Sequence, residues 1–275
     1  MKDKLNRCAQ LRAIPSTLIV PLAARAGGAA YFPWLACDDA DAARLFAGLG
    51  LDLQDHLNDR PTLLSILWRT AVLKDAGKAF FAANPMATGV NLGCGLSNHF
   101  QWFDDGANSW LDADLPEVMR LRRSLMPRDS ARHRQAEVDL IQPNWWRRLK
   151  LPSGVGQPPV FAVCEGVLMY FQSEQALAVL EEFARWAPPG SQLVLDVLSR
   201  TVIGCDGKHP RVGPKGAEFR WGVEKFEELL AVNPRLQLSQ VRSSAEAYGW
   251  LAMSTEAFWS AWAGAPVYSV VTLGV

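Results

Sequence analysis

The stretch that decides the fold is GVNLGCGLSN, residues 89–98. An apolar run ends in Gly93-Cys94-Gly95, and polar residues follow directly. Glycine adopts backbone dihedrals that a side chain forbids, and it lets a ligand approach the main chain closely. In an open parallel sheet, the turn after the first strand lies where ligands bind. The stretch therefore predicts a strand followed by a site for a nucleoside-bearing cofactor, although a purely structural turn would have the same sequence.

Strand-like and helical segments alternate on both sides of this turn. Strands are predicted at residues 88–92, 109–113, 134–138, 159–164, 192–198, 236–241 and 267–273, and helices at 115–126, 175–186, 223–230 and 255–263. Such alternation predicts an α/β fold with a parallel sheet covered on both faces, which the last two strands would close as an antiparallel edge. Residues 1–86 are predicted to be a mostly helical cap before a domain at 87–275, whose glycine-rich residues 199–222 form a lid or substrate loop.

Bulk composition narrows the class of protein. The 275 residues include 28 Lys and Arg against 28 Asp and Glu, and a net charge of zero disfavours a nucleic-acid interface. No apolar run approaches the ~20 residues of a membrane-spanning helix. The five cysteines are scattered, which is typical of free thiols in a reducing compartment. We expect a cytoplasmic protein with no membrane or nucleic-acid partner and no metal, whose oligomeric state the sequence does not indicate.

Three acidic residues follow the predicted strands. Asp114 lies where an acid would hold a ribose, and Asp139 lies where the adenine would be, although each could equally cap the next helix. Glu165 follows the fourth strand, where burial demands a positive partner, either a ligand ammonium or a protein cation. A dinucleotide turn would have a small third residue where this chain has Asn98, so the turn favours a cofactor without pyrophosphate, such as S-adenosylmethionine.

Several linked motifs resemble one family. They are Asn91-Leu92-Gly93-Cys94-Gly95, Asp114-Leu115-Pro116, Val138-Asp139-Leu140 with Trp145, Cys164-Glu165-Gly166-Val167-Leu168-Met169-Tyr170, and, earlier, Pro21-Leu22-Ala23-Ala24-Arg25-Ala26 and Trp68-Arg69-Thr70. Their order and spacing over residues 17–197 are similar to the leucine carboxyl methyltransferase family, which includes bacterial O-methyltransferases of polyketide biosynthesis. The resemblance implies a class I methyltransferase fold, a Rossmann-like seven-stranded sheet with an N-terminal helical cap. It also implies S-adenosylmethionine-dependent O-methylation of a carboxylate or hydroxyl of a small molecule.

The resemblance also implies roles for individual residues. The methionyl part of the cofactor would lie along the glycine turn, and its two charged groups would meet Arg69 and Glu165. The ribose would lie at Asp114 and the adenine at the residues after the third strand. The full implied cofactor set is Arg69, Asn91, Gly93, Gly95, Asp114, Leu115, Asp139, Leu140, Glu165 and Gly166. One departure is Ser97, which stands where the family often has an acid.

Acceptor chemistry is less constrained. A carboxylate acceptor needs no base, whereas a hydroxyl would, and His99 and Tyr170 lie nearest the inferred cofactor unless they are core residues. Cations for an acidic acceptor would come from Arg25, Lys208, Arg211 and Lys215, unless these are solvated. Trp221, Trp250, Trp259 and Trp262 could pack on a flat acceptor. For Phe258, Trp259 and Trp262, core packing is the favoured interpretation.

Two other functions remain open at this level. The loose match after residue 199 would suit a cofactor-binding module that has lost catalysis. A nicotinamide-dependent oxidoreductase shares the fold, but Asn98 and the lack of a Tyr-x-x-x-Lys motif disfavour it. A methylase of adenine or cytosine amino groups is disfavoured as well, because Glu165-Gly166-Val167-Leu168 stands where an Asp/Asn-Pro-Pro-aromatic turn would be.

Overall fold

The computed structural model describes residues 16–49, 52–126, 130–203 and 218–275. Within these residues seven strands form one sheet: β1 Thr88–Leu92, β2 Ser109–Asp114, β3 His133–Glu137, β4 Val160–Cys164, β5 Gln192–Leu198, β6 Gln237–Ser243 and β7 Tyr268–Gly274. Their order across the sheet is β3-β2-β1-β4-β5-β7-β6. The predicted seven-stranded α/β architecture is therefore confirmed.

Strand direction sets where a ligand binds. Neighbours from β3 to β5 are parallel, whereas β7 is antiparallel to both β5 and β6, so the predicted antiparallel edge is present. Chain order reverses between β1 and β4, and ligands of open α/β sheets bind at such a reversal beyond the carboxyl ends of the strands. Because β7 runs the other way, its first residue, Tyr268, pairs with Leu198 at that same edge.

Nine helices are described within these residues. They are α1 Ser16–Gly27, α2 Ala40–Leu49, α3 Arg60–Ala83, α4 Phe100–Phe103, α5 Pro116–Leu125, α6 Trp145–Arg148, α7 Ser173–Trp186, α8 Glu227–Leu230 and α9 Trp250–Ala263. α8 is shorter than the predicted helix at 223–230, because Val223 bridges to Ser199 beside β5. The next two backbone N–H groups donate to the carboxylate of Glu228 instead of entering a helix.

Both faces of the sheet are covered. In β4, Val160, Ala162 and Cys164 pack against the cluster that contains α6 and α7. Phe161 and Val163 point to the opposite face, where α3 and α4 cover them. Every residue of β4 is consequently buried, which is the continuous apolar pattern of a parallel strand between two helical layers.

The N-terminal helices are joined to the sheet through α3. Asp59 caps α3 by accepting a hydrogen bond from the backbone N–H of Thr62, 3.3 Å away. One part of α3 packs with α1 and α2 through Leu63 and Leu67. A later part, including Phe80 and Phe81, packs on the sheet face. Side chains near the middle of α3 are therefore carried to the edge of the sheet.

α9 departs from its predicted packing. Phe258 and Trp262 are among the most exposed side chains of the described chain, and Trp259 is partly exposed, so the expectation of core packing is wrong. The residues of α9 that turn towards the protein are small or polar, such as Ala252, Ser260 and Ala263. Helical spacing identified a face of large apolar residues, but it did not show which way that face points.

Of the five cysteines, three lie in the described residues. Cys37, Cys94 and Cys164 are buried free thiols, whereas Cys8 and Cys205 lie outside the described part. Most of the predicted loop at 199–222 is outside it too, since residues 204–217 are not described. No helix of the described ranges is both long and apolar enough to cross a membrane.

A buried ion pair supports the glycine turn from below. Arg122 of α5 and Asp112 of β2 are completely buried, with Nη2 and Oδ2 2.5 Å apart. The same guanidinium donates through Nη1 to the carbonyl oxygens of Gly95, at 3.0 Å, and Ser97, at 2.6 Å. Burial opposes ionisation of Asp112, but the charge of Arg122 and a hydrogen bond from His133 lower its pKa. Arg122 thus fixes the path of the turn.

We expect Asp112→Ala to lower the free energy of unfolding by ~3–5 kcal/mol, because it leaves the Arg122 charge buried without its partner. Asp104→Ala is the matched control, since Asp104 pairs with Arg132 on the surface, where water screens the charges, and a much smaller loss is expected. Urea denaturation measures both. Equal losses in the two variants would contradict the assigned role of Arg122 and Asp112.

Candidate active site

A cavity of about 960 Å³ opens at the carboxyl ends of the parallel strands. It is lined by most of the residues that the sequence singled out: Arg25, Arg69, Asn91, Gly93, Gly95, Asp114, Leu115, Asp139, Leu140, Glu165, Gly166 and Tyr170. His99 and Trp221 are described but are not part of the lining, and Arg211 lies outside the described residues. The strand edge thus brings twelve of the candidates to one hollow.

The glycine turn is shaped by two left-handed residues. Gly93 has φ +71° and Gly95 has φ +51°, which favour glycine. A Cβ at Gly93 would lie 2.3 Å from Cγ2 of Val167, so the turn also packs tightly against the segment after β4. Ser97, the departure from the family pattern, accepts a hydrogen bond from Asn91 and donates one to the carbonyl of Cys94. Ser97 therefore braces the turn.

Asp114 joins the glycine turn to the end of β2. Its Oδ2 accepts from the backbone N–H of Gly95, and its Oδ1 from that of Leu115, both at 2.7 Å. Burial raises its pKa, and these two donors offset the effect only in part. Each carboxylate oxygen has a further lone pair. The carboxylate can therefore still accept hydrogen bonds from a ligand in the cavity.

Asp139 follows β3 and is half-buried beside the buried Leu140. Its Oδ1 accepts from the backbone N–H of Ile141 at 3.0 Å, so it caps the turn that it begins. Both residues also line the cavity. Asp139 therefore does not cap the next helix, which begins at Trp145 after Asn144, so that alternative is wrong, while the cavity interpretation stays a prediction.

Glu165 has protein partners. Nε of Arg69 donates to its Oε1 at 2.8 Å, and Nε2 of His99 lies 3.1 Å from its Oε2. Burial alone would raise the pKa of Glu165, but the charge of Arg69 and the contact with His99 hold that pKa well below its usual range. Of the two partners that the sequence left open, a protein cation is therefore present.

Arg69 is shared by more than one acid. Its Nη1 donates to Oδ2 of Asp196 at 2.8 Å and to the hydroxyl of Tyr268 at 2.7 Å, and that hydroxyl donates to Asp196. Oδ1 of Asp196 accepts from the backbone N–H of Gly166. Two carboxylates thus share one guanidinium at the cavity wall. The cluster has a surplus of negative charge, which would attract a cationic ligand group.

Asp196 and Tyr268 were missed by sequence reasoning. Asp196 is the lone charge in the apolar strand Gln192–Leu198, and a buried charge requires a partner, so a signal was available. Tyr268 gave no comparable signal, because only the antiparallel placement of β7 brings its hydroxyl to Arg69. The network of Arg69 therefore depends on topology that spacing does not show.

His99 and Tyr170 occupy different positions. His99 is buried behind Glu165, with its ring stacked on Trp102 at a centroid distance of 5.5 Å. Tyr170 lines the cavity, and its ring lies 5.6 Å from that of Phe219. Burial raises the pKa of Tyr170 to about 12, and the charge of Arg69 offsets this only in part. At neutral pH the Tyr170 hydroxyl is therefore a proton donor.

The proposed acceptor-binding residues are also separated. Arg25 lines the cavity, but its Nε is engaged by Oδ2 of the buried Asp39 at 2.9 Å. Trp221 is buried in the core on the α6 and α7 side of the sheet. Lys208 and Lys215, like Arg211, lie outside the described residues.

The wall beyond Tyr170 is mainly apolar. It consists of Met169, Phe171, Leu198, Val202, Phe219 and Val267. Leu198 ends β5, and the others follow β4 or β5 or precede β7, whereas the glycine turn follows β1 and Asp114 ends β2. We call these apolar residues the apolar end of the lining, and the glycine turn, Asp114, Asp139 and the Arg69 cluster its polar end; the two adjoin after β4, where Glu165 and Met169 lie on one segment.

Comparisons with known proteins agree with this geometry. A family model described as leucine carboxyl methyltransferase matches residues 7–184. The tetracenomycin polyketide synthesis O-methyltransferase TcmP of Streptomyces glaucescens is 25% identical over 233 residues, 84% of this chain and 83% of that protein. The S-adenosyl-L-methionine-dependent methyltransferase dpfgK of Gibberella zeae is 25% identical over 209 residues, 67% and 66% of the two chains. A solved structure from Thermobifida fusca, described as a methyltransferase, shares the fold with a TM-score of 0.58, 17% identity and 94% coverage of each chain.

The Glu165–Arg69 pair leads to a pH-dependent expectation. A lowered pKa stabilises the folded state above the pKa of the unfolded carboxyl, about 4.3, and this stabilisation is lost as the pH falls. At neutral pH, Glu165→Gln should lower the free energy of unfolding by about 3 kcal/mol, because one partner of a buried pair is removed while Asp196 remains. The difference should shrink in acid.

Denaturation by urea at a series of pH values measures this difference. Glu137→Gln is the control, because the pair of Glu137 with Arg123 is close to half exposed and its loss should have little effect at any pH. A Glu165→Gln difference that stays constant down to acid pH would show that the charge of Glu165 is not what stabilises the cluster.

Proposed function

Because the chain belongs to the leucine carboxyl methyltransferase family and is a methyltransferase that uses S-adenosylmethionine, we propose that it methylates a carboxylate oxygen of a small, largely apolar molecule. The name of TcmP, which refers to polyketide synthesis, supports an acceptor of that general class. The observation that carries the choice of a carboxylate is the lack of a proton acceptor in the described part of the acceptor wall.

The polar end of the cavity fits the cofactor. The surplus negative charge of Glu165 and Asp196 suits the methionyl ammonium, and Nη2 of Arg69 makes no hydrogen bond to any described residue, which leaves it for the carboxylate. Asp114 has acceptor capacity for the ribose hydroxyls. Asp139 and Leu140 would flank the adenine. When bound, S-adenosylmethionine supplies an activated methyl group on a positively charged sulfur.

No described group of the acceptor wall takes up a proton at neutral pH. Burial raises the pKa of Tyr170 to about 12 and that of Tyr268 well above its usual value, and the Tyr268 hydroxyl donates a hydrogen bond to Asp196. His99, the other candidate base, lies behind Glu165 and away from the lining. A hydroxyl acceptor would have to lose its proton during transfer, whereas a carboxylate is already an anion at neutral pH. This difference favours a carboxylate.

The apolar wall would desolvate and position the acceptor. Phe171, Leu198 and Phe219 would remove water from the acceptor, and a desolvated carboxylate is a stronger nucleophile. The Tyr170 hydroxyl would donate a hydrogen bond to the oxygen that is not methylated and so orient the acceptor. Catalysis would rest on positioning two bound molecules rather than on proton transfer.

Binding of S-adenosylhomocysteine tests the polar end. We expect Asp114→Ala to weaken binding by ~1–3 kcal/mol, the scale of a buried charge-assisted hydrogen bond left unmade. Glu117→Ala is the matched control, because Glu117 is exposed at the start of α5 and does not line the cavity. Calorimetry measures both affinities, and an Asp114→Ala affinity equal to that of Glu117→Ala would remove Asp114 from the binding site.

The nature of the methylated product tests the carboxylate. With S-adenosylmethionine labelled in the methyl group and a small-molecule extract of the producing cells, we expect transferred label that mild alkali releases as methanol, as from a methyl ester. Label that resists alkali would identify a methyl ether and overturn the carboxylate assignment while keeping methyl transfer. No transferred label at all would support the inert binding module.

The dependence of the methyl-transfer rate on pH is a second test of the carboxylate acceptor. An acceptor carboxylate with a pKa of about 4 stays ionised through the neutral range, so the rate should be flat as the pH falls from about 9 to about 6. A rate that declines over this range would indicate a base that the described lining does not contain. Tyr170→Phe should reduce the rate without changing the affinity for S-adenosylhomocysteine.

A further inference from the structure

The feature that the methyl-transfer site does not use is the outward face of α9. Leu251, Phe258 and Trp262 are spaced at i, i+7 and i+11, so they form one stripe along this helix. Trp250 and Trp259 flank the stripe. None of the fourteen residues of α9 is fully buried. We call this set of five residues the α9 face.

The orientation of α9 is the reverse of an ordinary surface helix. The residues turned towards the protein are small or polar: Ala252, Glu256, Ser260 and Ala263. Glu256 is the one charged residue of the helix, and its carboxylate accepts a hydrogen bond from Ser243. The large apolar side chains are left in water. A helix whose outer face carries the large apolar side chains needs a second surface to cover that face.

The size of the α9 face matches one half of a stable protein interface. Trp250, Phe258 and Trp262 are 77%, 83% and 80% exposed, respectively. Since a large aromatic side chain presents ~150–250 Å², these three leave on the order of 500 Å² uncovered. Leu251, 65% exposed, and Trp259 extend this area towards the ~800 Å² per partner of a standard interface. Single exposed apolar residues do not reach that scale.

The chemistry of the α9 face selects the partner. A helix that lies on an anionic membrane carries Lys or Arg on its polar side, and α9 has none. An acidic partner protein would need Lys or Arg on the α9 face to pair with its carboxylates, and this face has neither. A second copy of the α9 face needs no cations, because the face is uncharged. A two-fold axis would place the same apolar stripe on both sides of the interface. We propose that the α9 face is the interface of a homodimer of this protein.

This assignment connects the interface to the cavity. The turn Ser244–Tyr248 leads into α9, and both Ser244 and Tyr248 line the cavity. In a dimer formed through α9, the second copy covers the surface next to the cavity mouth. The proposal is independent of which acceptor is methylated, since it rests only on the exposure, size and charge of the α9 face.

Sedimentation velocity on the full chain, from nanomolar to micromolar concentration, tests the proposal. We expect the native chain to be a dimer at micromolar concentration and Phe258→Asp with Trp262→Asp to raise its dissociation constant at least ~30-fold, the scale of an aromatic interface hot spot. Val155→Asp is the control, because Val155 is 90% exposed outside α9 and should leave the dimer intact. Thermal unfolding checks that the α9 variants fold.

Three outcomes would overturn the proposal. The first is a native chain that stays monomeric at micromolar concentration. The second is a native dimer that persists in the folded Phe258→Asp, Trp262→Asp variant, because the interface would then lie elsewhere. The third is a native monomer that co-sediments with phosphatidylcholine vesicles while the double variant does not, which would assign the α9 face to a membrane surface.

Discussion

One buried guanidinium, that of Arg69, holds the binding edge together. It lies on α3, and its partners Glu165, Asp196 and Tyr268 stand at the ends of β4, β5 and β7. A charge in this position is stable only while its acids are in place, because an unpaired buried ion costs several kcal/mol. The helical N-terminal part and the sheet are therefore committed to one relative arrangement, and the cavity forms between them.

The two ends of the cavity differ in chemical character. The polar end has fixed charges and backbone donors, such as those that Asp114 receives from the glycine turn. The apolar end, beyond Tyr170, offers shape and exclusion of water. In the proposed reaction, the positively charged methyl donor would bind at the polar end, and a carboxylate acceptor would gain reactivity at the apolar end. The proposed transfer to a carboxylate would need no titrating side chain between the two reactants.

Sequence reasoning reached the sheet and most of the cavity because both follow from local spacing. Residues at or directly after the carboxyl end of a parallel strand, such as Gly93, Asp114 and Glu165, are placed at the binding edge by the strand itself. For residues farther from the strand end, the direction of the side chain decides whether it reaches the cavity, and residue spacing does not show that direction. His99 follows the same turn yet lies behind Glu165, and Trp221 is buried in the core. The sequence did not show that the apolar face of α9 points outward for the same reason.

The contact of Arg69 with Tyr268 also joins two parts of the chain that are far apart in the sequence. The two residues are 199 positions apart, so during synthesis the guanidinium leaves the ribosome long before the phenol that completes its coordination. Contacts of such sequence separation form late and slow the folding of a chain. Glu165 and Asp196 precede Tyr268 in the chain. The three charged residues of the cluster are therefore synthesised before the hydroxyl that donates to Asp196 and accepts from Arg69. The wall of the cavity is therefore complete only once β7 has joined the sheet and brought Tyr268 to Arg69.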